Sequence, residues 1–338
     1  MVSMKDIAAA CNVSVATVSK ALNNHSDIGE ETRQLVKKTA KQMGYHPNFS
    51  ARALKTHRSY NLGVLFVDEA RSGLTHDYFS HVLEGFKVTA ERAGYDITFL
   101  NNSRLGKDRM SYLEHSIYRG MDGVVIACVD FNDAEVIELL QSQLPVVTID
   151  YLFNNRIAIT SDNVNGMKEL LQYIFAKGHK KIAYIHGADS SVTQARVASF
   201  FQCMESHNIE IVEEYIREAE YRDSYTAGVI TNELLDLPEP PTCILYPDDY
   251  SAIGGMNAIK NRGLRIPEDV SIAGYDGIPI AAQLNPQLTT IHQDTEKIGR
   301  LAAEKLIDLI EKPRSTIIGQ QIVEGTLIEG KTISTIKQ

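Results

Sequence analysis

From Asn61 onward the chain repeats one unit, a short apolar strand followed by an amphipathic helix, and no other feature constrains its fold as tightly. Parallel strands need a long crossover between them, usually a helix, so this alternation points to parallel α/β architecture. The pattern predicts strands over 61–67, 95–100, 123–128 and 145–149, with helices near 77–93, 108–119 and 133–143. It restarts with a helix over 163–177 and strands over 181–186, 214–219, 242–246 and 270–275. A helix over 294–311 and a short strand over 320–324 follow. One sheet of that many strands would be unusual, so two doubly wound lobes are expected. The chain enters the second lobe near Asp162 and returns near Thr290, which requires several segments to cross between lobes.

The first sixty residues follow a different rule. They carry a net charge of +5, whereas the remainder carries −14, giving −9 in all. A basic head on an acidic body suits a polyanion-binding module attached to something that binds no polyanion. Ile7, Ala8 and Cys11 share a helical face behind Ser3, a possible N-cap with Asp6 three residues on. Asn12-Val13-Ser14 interrupts, and Ser14 can cap a second helix running to Asn23, buried through Val18 and Leu22. A third helix, Glu30 to Met43, places Leu35, Val36, Thr39, Ala40 and Met43 on one side, and Gly44 follows where a left-handed cap is wanted.

Three short helices, the first two joined by a tight turn, form either a helix-turn-helix or a plain three-helix bundle. In a helix-turn-helix the second helix enters the major groove. Val15 and Ala16 could then meet thymine methyls, and Lys20 guanine or a phosphate. Ser14, Thr17 and Asn23 suit phosphate contacts, which position without specifying. Beyond Pro47, which blocks the third helix, Asn48 can cap a helix of about eight residues, too short to hold alone. The other reading of that stretch is a simple linker.

Several function classes are excluded or weakened. The four cysteines lie 117, 75 and 40 residues apart without metal-ligand spacing, so buried reduced thiols are expected. The ten histidines form no metal motif, and no cofactor is expected. No strand is followed by a dinucleotide-binding, P-loop or nucleophile-elbow motif, which leaves an enzyme little support. No apolar run reaches the roughly 18 residues of a membrane span. The N-terminus has no apolar signal segment, so a cytoplasmic protein without membrane partners is expected.

Asp6-Ile7-Ala8, Val13-Ser14-Val15-Ala16-Thr17-Val18-Ser19, Thr32-Arg33, Gly44-Tyr45, Pro47-Asn48, Ala51-Arg52 and Leu54 together resemble the lactose-repressor/galactose-repressor family of transcription regulators. The resemblance continues through Gly178-His179-Lys180-Lys181-Ile182-Ala183, the run Ile266 to Asp276, and Pro286-Gln287-Leu288-Thr289-Thr290-Ile291 with Gln293-Asp294. It implies that Asn48 to Lys55 is a hinge helix on DNA, with Asn48, Ala51, Arg52 and Leu54 as contacts and Leu54 wedged between base steps in the minor groove. Lys20 departs from the arginine usual in the family, replacing a fork of donors by a point charge.

For the body, the resemblance implies two lobes hinged around a cleft, similar to periplasmic sugar-binding proteins, with the ligand at the C-terminal strand ends. Asp276 matches an aspartate that accepts from ligand hydroxyls, the alternative being a helix cap. Arg196 matches the family's ligand arginine, although Ser199 replaces a frequent glycine nearby. An Asp/Arg pair suits sugars, one accepting from hydroxyls and the other donating to oxygens. Asp248-Asp249 stands where Asn-Asp is common. Asp248 is read as the ligand residue and Asp249 as a helix cap, an extra charge that favours a polyhydroxylated or cationic ligand over a phosphorylated one. Asp150 is a ligand or interlobe candidate, while Tyr221, Tyr78 and Phe79 are aromatic candidates for stacking, with core packing as the alternative.

The expected architecture is thus a small all-α helix-turn-helix head with a hinge helix, then a two-lobed periplasmic-binding-protein-like α/β body. The expected boundaries are 1–46 for the head, 47–60 for the hinge and linker, 61–161 plus 291–320 for the first lobe, and 162–290 plus 321–338 for the second. The expected function is ligand-responsive repression from a pseudo-palindromic double-stranded operator, bound as a homodimer. The small-molecule effector is expected to be a sugar, with a nucleoside or purine as alternative. A solute-binding protein would lack the basic head.

Overall fold

The computed structural model describes residues 2–45, 58–67, 73–101 and 109–336. The chain divides into two compact units, Met1–Ser59 and Tyr60–Gln338.

In the first unit, α1 (Met4–Cys11), α2 (Val15–Leu22) and α3 (Glu30–Gln42) enclose Ile7, Ala8, Cys11, Val18, Ala21, Val36 and Ala40. Ser3 and Asp6 close a reciprocal capping box on α1, and Asn12 ends it in the left-handed region at φ 55°. Ser14 caps α2 through the Thr17 amide. Gly44 adopts φ +66° just past α3, as its position predicted. Two apolar expectations shift by one residue. Ala21 is buried where Leu22 is only half-buried, and Leu35 is 49% exposed. The burial of Val36 and Ala40 shows that the inner face of α3 follows that register.

The second unit holds two parallel sheets. The first contains β1 (Asn61–Phe66), β2 (Asp96–Leu100), β3 (Gly123–Ala127), β4 (Val146–Ile149), β5 (Ile157–Ser161) and β11 (Gln320–Val323). Its order is β11-β5-β4-β3-β1-β2, with every pairing parallel. On one face α4 (Asp77–Arg92) and α11 (Thr295–Glu311) cover Leu62, Val64, Val125 and Val147; on the other, α5 (Tyr112–Tyr118) and α6 (Ala134–Gln141) cover Leu65, Val124, Ile126 and Val146. Each such side chain contributes about 1.5–3 kcal/mol by leaving water. Helices α4 and α11 approach backbone to backbone at two glycines. A Cβ on Gly299 would lie 1.8 Å from the Val82 carbonyl oxygen, and one on Gly85 2.4 Å from that of Glu296.

The second sheet is β7-β6-β8-β9, made of β6 (Ile182–His186), β7 (Ile216–Glu218), β8 (Cys243–Leu245) and β9 (Ser271–Ala273). It lies between α7 (Asn163–Ala176) with α8 (Ser191–Ser206) and α9 (Ser224–Leu235) with α10 (Asp249–Asn261). A short antiparallel pair, β10 (Thr290–His292) with β12 (Thr326–Ile328), runs beside this lobe.

Three segments cross between lobes: Ser161 to Asn163, the stretch after His292, and Val323 to Thr326. The Asp162 amide donates to the Val323 carbonyl at 2.9 Å, tying two of them together. Two expectations need correction. Strand β5 was not anticipated, because Ile157 to Ser161 follows β4 too closely for a helical crossover. The boundary at 320/321 also falls inside β11, which pairs with β5, so Gln321 to Val323 belong to the first lobe; only the chain from β12 onward lies against the second. There the Ile272 amide donates to the Thr332 carbonyl and the Ser334 amide to Ser271 Oγ. Cys11, Cys203 and Cys243 are buried free thiols, whereas Cys128 is only half-buried, at the left-handed end of β3.

Candidate functional site

On the head, Ser14, Val15, Ala16, Lys20 and Asn23 are exposed and Thr17 is half-buried, so the outer face of α2 presents the residues singled out for DNA contact. Ser14 Oγ is engaged in capping and lies 2.9 Å from Thr17 Oγ1. Asn23 Nδ2 donates to the Ser19 carbonyl. Lys20 is the only charged residue of α2, and its ammonium is paired with Asp27 from the following loop. Asn48, Ala51, Arg52 and Leu54 lie outside the described residues.

In the body, the strands of both sheets end toward the interlobe cleft, and their C-terminal ends carry the ligand candidates. Arg196, one turn into α8, is 3% exposed. Its Nε donates to Asn163 Oδ1 at 2.7 Å, its Nη1 to the Pro247 carbonyl at 3.0 Å, and its guanidinium sits 3.6 Å from the centre of the Tyr275 ring. Nη2 reaches to 3.9 Å from Asp276 Oδ1. The guanidinium stays charged when buried, and these partners offset the cost of taking that charge out of water. Asp276 follows β9 with φ 102°, a strained value for a residue with a side chain, held by amide bonds to and from the crossing strand β10. Gln293 Nε2 donates to Asp276 Oδ1 at 2.6 Å. Burial pushes the Asp276 carboxyl up to about 7 against the opposing pull of Arg196.

From the first lobe, the Tyr78 hydroxyl donates to Asp150 Oδ2 at 3.0 Å, and the Ser161 amide donates to Asp150 Oδ1 at 2.9 Å. Burial raises the Asp150 carboxyl above its ordinary range and the Tyr78 phenol further still, with Asp150 adding to the latter. Tyr221 lies with its hydroxyl 2.9 Å from Thr193 Oγ1 and its ring over Gly187, where a Cβ would lie 2.2 Å away. For Phe79 the core-packing alternative describes the surroundings. Its ring packs among Phe66, His76 and Tyr78 and supports Tyr78 edge-on.

The helix cap expected at Asp249 falls to Asp248. Asp248 is the N-cap of α10, accepting from the Ser251 amide and hydroxyl and from the Arg222 amide, all within 2.9 Å. Asp249 is the buried tie, accepting from Thr290 Oγ1 at 2.6 Å and the Ile278 amide at 2.9 Å. The first aspartate of the pair occupies the extended cap position because the helix begins at Asp249, one residue earlier than a cap at Asp249 would require.

Several participants were not foreseen. Ser191 Oγ donates across the cleft to the Asp150 carbonyl at 2.7 Å. The Tyr250 hydroxyl donates across it to Asp77 Oδ2, with Arg222 Nη2 4.0 Å from the same oxygen and its guanidinium over the Tyr250 ring. Asn163, Tyr275 and Gln293 complete the surroundings of Arg196 and Asp276. Gln293 and Tyr275 stood in the recognised runs, a signal that was available; Asn163 is brought in by folding alone.

A two-lobed, cleft-bearing α/β body joined to a helix-turn-helix unit defines the class of DNA-binding transcription regulators with periplasmic-binding-protein-like bodies. Residues 3–48 match the model of bacterial regulatory proteins of the lacI family, and residues 171–333 that of the periplasmic binding protein-like domain. The chain is 32% identical over 330 residues to "Probable HTH-type transcriptional repressor ExuR" of Bacillus subtilis, covering 96% of each. It is 30% identical to the transcriptional repressor CytR of Escherichia coli K12, covering 96% of this chain and 92% of that one. Its fold matches that of the lac repressor dimer bound to operator and the anti-inducer ONPF, with a TM-score of 0.83, 26% identity and coverage of 98% and 99%. The chain belongs to the lacI family and is a DNA-binding transcriptional repressor, not an enzyme. No helix among the described residues is long and apolar enough to cross a membrane.

Proposed function

We propose that this repressor binds a pseudo-palindromic operator as a homodimer, and that an uncharged polyhydroxylated molecule, a sugar, held between the lobes sets its DNA affinity. The carrying observation is the cluster of Arg196 with Asp276 and Gln293, in the lobe joined to the Tyr78–Asp150 pair by the bond from Ser191 Oγ to the Asp150 carbonyl. It offers a fork of donors, a carboxylate acceptor and aromatic faces within one space, which suits hydroxyl pairs and the C–H faces of a sugar ring. The buried carboxylates Asp248 and Asp249, with the half-buried Asp150 and Asp276, outnumber Arg196 and disfavour a phosphorylated ligand.

Dimerisation is supported by exposed apolar side chains on outer surfaces of both lobes. Tyr225 and Val229 lie one turn apart on α9, and Ile117 and Tyr118 lie at the end of α5. The matched lac repressor structure is itself a dimer on operator. Tyr78 and Tyr221 also favour a second reading, a nucleoside or purine stacked on their rings.

Thermal-shift screening of sugars, sugar alcohols, nucleosides and purines separates the two, since a specific ligand stabilises the fold by mass action. A sugar that raises the melting temperature, and fails to do so in Arg196→Ala and Asp276→Ala proteins that still bind operator, is the expected result. Stabilisation by a nucleoside alone would replace the sugar reading.

A further inference from the structure

The head contains a carboxylate that the reading of α2 as a groove-entering helix leaves without a task. Asp27 lies in the loop between α2 and α3, and its carboxylate meets the Lys20 ammonium. That loop is held from behind. Arg33 Nη2 donates to the carbonyls of His25 at 3.1 Å and Ile28 at 2.9 Å, while its Nη1 meets Glu30 Oε2 at 2.6 Å. Lys37 Nζ adds a bond to Asn24 Oδ1 at 2.5 Å. The stretch from Asn24 to Ile28 is therefore bound to α3 on both sides of Asp27.

A lysine is normally a poor reader of bases, because its ammonium is a point charge on a stem with many rotamers and it satisfies any phosphate equally well. Here one of its three N–H donors is committed to an acceptor fixed on another element, and two remain for the groove. The same carboxylate stands beside the DNA-facing surface, where it repels phosphates whatever their sequence.

We propose that Asp27 is a positioning residue that makes Lys20 sequence-selective, aiming its ammonium at a guanine edge and lowering its attraction for backbone phosphates. The inference rests on the reading that α2 enters the major groove. Lys20 then reads base edges from a fixed point, with the lysine held by a neighbour instead of by its own shape. The Asp27 carboxyl lies below its usual range, chiefly through its bond to Lys20, so the pair persists across physiological pH.

The test uses the full-length protein and a duplex enriched by wild type from a random library, single-base-pair variants of that duplex, and a random-sequence duplex. Wild type, Asp27→Asn, Lys20→Ala and the double variant are titrated against all of them. Asp27→Asn is expected to lose about five- to tenfold in discrimination at one base pair per half-site, the lower end of what a good base contact supplies. Its affinity for the random duplex should rise a few-fold. In the Lys20→Ala background the same change should leave discrimination unaltered. If Asp27→Asn tightens every duplex equally with discrimination intact, Asp27 is a simple counter-charge and the proposal is overturned. Equal loss of discrimination with and without Lys20 overturns it as well. Failure of wild type to enrich any sequence would instead strike at the groove reading of α2.

Discussion

At the scale of single residues, the cleft is governed by how burial changes the charge state of Asp276. Its folded pKa of about 7 stands above the ordinary 3.8, so the folded state holds this proton more tightly than the unfolded chain. Ionising it while folded costs stability, which falls as pH rises from about 4 to about 7 and levels off above, by at most about 1.4 kcal/mol per pH unit. Asp150 and Asp248 are raised by burial too, with the same sign, so the informative quantity is a difference. Asp276→Asn should flatten the stability curve relative to wild type between about pH 4 and 7, followed by urea denaturation. In the proposed role at Asp276, a ligand hydroxyl bonds more strongly to the ionised carboxylate than to the neutral acid. Ligand affinity measured by calorimetry should therefore strengthen as pH rises through about 7, and the asparagine variant should lack that rise. A parallel rise in both proteins would assign the titration to another group.

At the scale of elements, closure of the lobes depends on contacts away from the ligand set. Tyr250 on α10 and Arg222 before α9 meet Asp77 at the start of α4. Tyr250→Phe removes the donor and keeps the ring. It should weaken ligand binding by about tenfold to a hundredfold, the worth of a hydrogen bond to a charged group. Small-angle scattering should show a more expanded ligand-free body; unchanged affinity and dimensions would show the contact to be incidental. The pairing of α4 with α11 is limited by backbone contact at Gly299. Gly299→Ala gains helix propensity, yet its methyl has nowhere to go. Chemical denaturation should find it destabilised by about 1–3 kcal/mol or more, and a stabilised variant would mean that the helices separate freely.

At the scale of the whole molecule, the two units have separate cores and opposite net charges. The body alone, residues 61–338, should melt cooperatively and sediment as a dimer while losing operator affinity. Operator binding by full-length protein should fall steeply with added salt as counterions return to the phosphates. Sequence-specific binding by the isolated body would refute this division of labour. The hinge belongs to this scale as well. Leu54→Ala should weaken operator affinity and reduce its change with ligand, leaving ligand affinity without DNA unaltered, by the wedge role the family resemblance assigns it.

By itself the sequence determined every feature that depends on local periodicity and on motif. The three head helices, their Ser3 and Ser14 caps, the left-handed Gly44 and the alternation from Asn61 all follow from side-chain spacing and backbone preference within a few residues. Arg196 and Asp276 could be named because each sits in a recognisable run. Only the tertiary structure decided what depends on partners distant along the chain. Strand β11 joins the first sheet because its neighbour is β5, about 160 residues earlier, a pairing no local pattern encodes. The cap expected at Asp249 went to Asp248 for a related reason. Either could cap α10, and the choice falls to Thr290 and Ile278, which need the second carboxylate as acceptor. The cross-cleft bonds of Asp77, Tyr250 and Ser191 were illegible in the sequence, since a polar side chain acquires such a role only when two lobes bring it to a partner distant along the chain.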